Sequence, residues 1–113
     1  MNTLHTIELH REGLRLEALV SGPARGPVVF LVHGFPDTPH SWDAVADGLV
    51  SAGYRVVRPW LRGYTAESVS DSAEYGPYPA AMDLLAWRDI FPASDVHLVG
   101  HDWGAVAAMA AAA

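Results

Sequence analysis

The sequence predicts an α/β domain: a mostly parallel sheet with helices on both faces, preceded by an antiparallel hairpin. Short β-branched runs alternate with segments of helical period along most of the chain. One run, "PVVFLVH", is apolar almost without interruption, as in a strand covered on both faces. Near the start, two alternating runs flank a tight turn. Repeated strand–helix units bring their strands together in parallel and leave the helices to cover the sheet.

Each element has its own signal. "HTIELH" and "LRLEALV" flank Arg11-Glu12-Gly13 and form the hairpin. "PVVFLVH" supplies the next strand. From Ser41 onward, Trp42, Val45, Ala46 and Leu49 recur at helical spacing, with Gly53 as the stop. Gly48 inside this helix costs about 1 kcal/mol relative to alanine. "YRVVRP" is a strand closed by Pro59, and residues 60–77 form an irregular loop. Pro79 suits the first turn of a helix in which Ala80, Leu84, Trp87 and Phe91 share one side. "VHLVG" is a further buried strand, and a helix runs from Trp103.

Composition narrows the function. A chain of 113 residues is long enough for one small domain. A formal charge of −6 argues against nucleic acid and anionic lipid as partners. There are no cysteines, so disulfides, thiolate metal sites and cysteine nucleophiles are excluded. All seven basic residues are Arg, which excludes lysine Schiff-base chemistry. No signal peptide or membrane span is visible, so no membrane role and a cytoplasmic location are expected. No histidine pair has metal-ligand spacing with an acidic third residue, so no metal and no cofactor are expected.

Function in such sheets sits at the carboxyl ends of the strands. Two segments fall there, "HGFPDTPHSW" and "GHDWGA". In the second, Gly100 and Gly104 stand two residues either side of Asp102. A turn sharp enough to hold a side chain above the sheet leaves room only for glycine at those offsets, which makes Asp102 the candidate nucleophile of an elbow. The structural alternative is that Gly100 ends a strand and Asp102 caps the next helix. The apolar run before it, the small-residue helix after it and the motif upstream favour the elbow. In that motif, His33-Gly34-Phe35-Pro36, Gly34 permits close approach of the backbone and Pro36 fixes the chain. The Phe35 and Trp103 amides then form an oxyanion hole.

On "HGFPDTPHSW", "GYRVVRPWLRGY" and "LVGHDWGA" the chain resembles the α/β-hydrolase superfamily and, within it, the soluble epoxide hydrolases. It departs from their usual pattern at Trp60, where an acidic residue is common. The resemblance implies that Asp102 opens an epoxide to form an alkyl ester. A carboxylate with a reference pKa near 4 is already ionised at pH 7 and needs no base for this step. Water activated by a histidine then attacks the ester carbonyl, releasing a diol. The implied substrate is a small apolar epoxide. Haloalkane and haloacid dehalogenases share the first step and are the alternative. Their halide-binding Asn, or their Arg after the nucleophile, is replaced here by Phe35 or Trp103. In the resembling family the base histidine, its acid and the cap tyrosines come later. The chain is therefore expected to be one incomplete core domain over residues 1–113, inactive alone. A non-catalytic truncated product is the other alternative.

Other residues carry less. His33 is expected to pack and hydrogen-bond within the oxyanion loop, His101 to point away from the site, and His97 to be buried or half-buried. Trp42 and Trp87 belong to the core. Trp103 either lines the pocket or merely packs. Arg62, Gly63 and Tyr64 shape their loop, and Asp37 caps a turn after Pro36.

Overall fold

The computed structural model describes residues 4–92 and 95–113; residues 1–3 and 93–94 of the expected domain lie outside the described residues. Strands β1 (His5–Arg11), β2 (Leu14–Ser21), β3 (Val28–Val32), β4 (Arg55–Pro59) and β5 (Val96–Gly100) form one sheet in the order β1-β2-β4-β3-β5. The β1–β2 and β2–β4 pairs are antiparallel, whereas β3 runs parallel to both β4 and β5. Among the described residues three α-helices accompany the sheet: α1 (Asp43–Ser51), α2 (Pro77–Arg88) and α3 (Trp103–Ala112).

The hairpin closes through Glu12 and Gly13, with φ of 53° and 78°. Two successive positive φ values make the turn whose twist matches paired strands. Arg11, expected in the turn, pairs with Leu14 instead, because two residues suffice.

Helices cover both faces, as the apolar pattern requires. Leu14, Leu16, Ala18 and Val20 alternate onto one face of β2. With Val28, Phe30 and Val32 they pack against Ala80, Leu84 and Trp87 of α2 and Ala107 of α3. Val29, Leu31 and Val56 face the other way, toward Ala46 of α1 with Trp42, Leu49 and Val50. Phe30 is completely buried, worth about 1.5–3 kcal/mol of transfer free energy. Val45 lies at the margin of the α1 stripe and is 48% exposed, contrary to its helical spacing. A helix touching a sheet along one side buries only a narrow stripe.

Two further expectations need correction. The loop expected over 60–77 gives up Pro77, which opens α2; Pro79 falls in the first turn as expected, where a missing N–H costs no helix bond. β5 is half-exposed rather than buried: Val96 and Leu98 pack against the α2–α3 core, but His97 and Val99 are exposed. β5 ends the sheet order, and among the described residues no helix lies over the face carrying His97 and Val99.

The chain passes from β3 to β4 by α1 on one face, then to β5 by α2 on the other. β3 and β5 are adjacent and parallel, so the segments leaving them emerge together where the direction of winding reverses. That edge is where such sheets open a crevice.

Candidate active site

His101 leaves β5 by donating its N–H to the Val32 carbonyl at 3.1 Å, which ties the ends of β5 and β3 together. The next residue, Asp102, has φ 59° and ψ −126°, a rare conformation for a residue with a side chain. Such a conformation costs of order 1–3 kcal/mol and persists only where its surroundings impose it. α3 begins immediately afterwards. Asp102 occupies the helix N-cap position, yet its side chain makes no capping bond to α3. It turns toward Phe35.

Close approach of backbones sets the glycines. A Cβ on Gly104 would run into the carbonyl oxygens of Val32 and His33, so α3 lies directly on the end of β3. A Cβ on Gly34 would collide with the Asp102 Cβ and come within 2.7 Å of the His101 oxygen. At Gly100 the obstacle is the Gly104 carbonyl, 2.5 Å away.

The Phe35 N–H donates to Asp102 Oδ2 at 3.0 Å. This bond first, and then the neighbouring Trp103 backbone N–H, lower the Asp102 carboxyl below its usual pKa of 3.8; desolvation opposes the shift and the nearby His101 slightly reinforces it. The exposed carboxylate therefore accepts from the Phe35 amide and has the Trp103 amide beside it. The arrangement can keep that carboxylate ionised and can hold a negative oxygen formed on it.

His33 is fully buried behind this site. Its Nδ1 lies 2.9 Å from the Gly34 carbonyl, and its Nε2 accepts the Leu61 N–H at 3.0 Å. The Tyr64 and Trp60 rings meet it edge-on at centroid distances of 4.9 and 5.9 Å. Burial holds its pKa below 6.5, against smaller opposing effects of the Gly34 carbonyl and the Asp37 charge. The Asp37 side chain does not supply the turn cap expected of it. Its backbone N–H closes the turn onto Gly34, while Thr38 Oγ1 accepts the His40 N–H and caps the short 3-10 turn Pro39–Trp42.

Trp103 is 52% exposed and lines a cavity of about 250 Å³ with Leu61, Tyr64, Tyr75 and Ala80. Asp102 is not among the residues lining this cavity. His101 is exposed and His97 faces outward, while Trp42 and Trp87 pack in the two cores. Among the described residues no group of three or more His, Asp or Glu is gathered to hold a metal ion, and no helix is long and apolar enough to cross a membrane.

The residue that sequence reasoning passed over is Asp83. Arg62 is buried and forks onto it, with Nε to Oδ2 at 2.7 Å and Nη2 to Oδ1 at 2.6 Å. Arg11 Nε adds a bond at 2.9 Å, and Arg62 also reaches Glu12 and the Glu74 carbonyl. The clamp joins the hairpin, the loop after β4 and α2. A signal was present: Asp83 sits three residues after Ala80 and four before Trp87, on the buried side of α2, where a carboxylate needs a cation.

Residues 27–113 match the model of the alpha/beta hydrolase fold family. The chain is 39% identical over 106 residues to an epoxide hydrolase of Caballeronia sordidicola, covering 93% of this chain and 32% of that protein. It is 40% identical over 95 residues to epoxide hydrolase A of Mycobacterium tuberculosis, covering 83% of this chain and 30% of that protein. The crystal structure of epoxide hydrolase A from Mycobacterium thermoresistibile superposes with a TM-score of 0.86 at 35% identity, over 97% of this chain and 35% of that one. The chain thus spans about a third of the length of the relatives it matches.

Proposed function

The chain belongs to the alpha/beta hydrolase fold family, and on that premise we propose that it carries the nucleophile and oxyanion hole of an epoxide hydrolase acting on small apolar epoxides in the cytoplasm. The observation that carries the reading is the Asp102 carboxylate, held on a strained elbow and facing the Phe35 and Trp103 amides. The epoxide hydrolases among its relatives support the choice of substrate.

In this reading one Asp102 oxygen attacks an epoxide carbon. The carbon–oxygen ring bond breaks, and the ring oxygen leaves as an alkoxide that takes up a proton. The product is an ester on Asp102. Water then adds to the ester carbonyl, and the Phe35 and Trp103 N–H groups hold the resulting oxyanion. Collapse releases the diol and restores the carboxylate. The second half needs a base. Among the described residues no histidine hydrogen-bonds to Asp102, and both ring nitrogens of His33 are engaged. The 113 residues are therefore proposed to form one incomplete domain that stops at the ester.

Incubation with styrene oxide followed by peptide mass spectrometry tests this. An adduct on the Asp102 peptide, lost in Asp102→Asn and formed without steady diol production, is the expected result. Halide release from a haloalkane would favour the dehalogenase alternative, against which Phe35 offers no side-chain N–H to a halide. No adduct from either reagent would mark a non-catalytic chain and overturn the proposal.

A further inference from the structure

We propose that His33 is a positioning residue which, through both ring nitrogens, sets the direction of the Phe35 N–H from the loop leaving β4. The inference rests on the reading of Phe35 as an oxyanion donor.

The geometry fixes a single tautomer. The Gly34 carbonyl only accepts, so Nδ1 at 2.9 Å carries the proton; the Leu61 amide only donates, so Nε2 at 3.0 Å presents its lone pair. The other tautomer loses both of these bonds, and the imidazolium loses the one from Leu61. The ring is wholly buried and has Tyr64 and Trp60 against it.

The Gly34 carbonyl and the Phe35 N–H belong to the same peptide unit, which is planar. His33 Nδ1–H and the Asp37 N–H, each at 2.9 Å, hold its oxygen. The opposite side of the unit points the Phe35 N–H at Asp102 Oδ2, 3.0 Å away. Rotation of this peptide sacrifices all three bonds. Donors on the oxygen also polarise the unit and strengthen its N–H as a donor. On its other side His33 reads the position of Leu61, whose neighbour Arg62 is clamped by Asp83. The connection runs from α2 through the loop after β4 to the oxyanion donor, without touching substrate.

Side-chain nitrogen NMR of the labelled protein tests the tautomer directly. A protonated Nδ1 and a bare Nε2 are expected; a protonated Nε2 overturns the proposal whether or not any variant folds. In His33→Phe, amide exchange at Phe35 is expected to accelerate about tenfold, the scale of one lost hydrogen bond. His33→Asn returns an N–H near the Nδ1 position and is expected to recover part of that protection. Unchanged Phe35 exchange in folded His33→Phe overturns the link. The oxyanion reading fails separately: a Phe35 amide shift that ignores the titration of Asp102 would sink it while leaving the His33 connection in place.

Discussion

The Phe35 N–H and Asp102 Oδ2 lie 3.0 Å apart although 67 positions separate the two residues in the chain. Parallel pairing of β3 with β5, in a register that sets Val32 opposite Gly100, makes both strands end at the same edge. Each needs only two or three further residues to bring an amide and a carboxylate together. Four predictions test the architecture around this contact.

The Asp102 backbone is strained. At φ 59° a side chain is disfavoured and glycine is not. Asp102→Gly is expected to raise unfolding stability by about 1 kcal/mol in urea titration, whereas Asp102→Ala is not. Both remove the proposed nucleophile. Equal stabilities for the two variants would show that the elbow is relaxed.

Glycines of the same composition have opposite roles. Gly104→Ala drives a methyl into the Val32 and His33 carbonyls and is expected to cost about 2 kcal/mol or more. Gly48 has open space around its Cβ position and sits within α1. Gly48→Ala is expected to stabilise by about 0.5–1 kcal/mol through helix propensity. Urea midpoints of the two variants should move in opposite directions.

Asp83→Ala leaves the buried Arg62 guanidinium without its main counter-charge. A loss of about 3–5 kcal/mol is expected, the scale for breaking one side of a buried ion pair. Replacing Asp89, exposed and, among the described residues, paired only with its neighbour Arg88, is expected to move stability by less than about 0.5 kcal/mol. Comparable losses at the two aspartates would contradict the clamp.

Acid should weaken the fold in two stages. His33 is held below 6.5 by burial, so the unfolded chain takes up this proton at higher pH than the folded one. Its contribution is complete above 6.5 and is lost as pH falls through the folded value. Asp102, held below 3.8 chiefly by the Phe35 N–H, has the same sense at lower pH. Urea midpoints are expected to fall as pH drops past 6.5, with a shallower slope in His33→Phe. A carboxyl titration of Asp102 centred above 3.8 would contradict the amide contacts.

Much of this was legible locally. The period-two alternation of β2, the apolar run of β3 and the Gly53 stop follow from side-chain geometry within a few residues. So does the spacing of Gly100 and Gly104 about Asp102, since steric room at an elbow is a near-neighbour matter. Other features were not. "VHLVG" has the composition of β3, but burial depends on what lies alongside, and β5 ends the sheet. Asp83 reads as an acid on an apolar helix face until Arg62 and Arg11 arrive from distant segments.

The sequence by itself determined the strand–helix alternation, the chemistry excluded by missing Cys and Lys, and the carboxylate at the elbow, because these follow from residue identity and short-range sterics. Tertiary structure alone decided which β5 face is bare, which nitrogen of His33 holds its proton, and that the Phe35 amide reaches Asp102. Hydrogen bonds are directional and short, so they depend on strand order and register, which bring together residues that the chain keeps far apart.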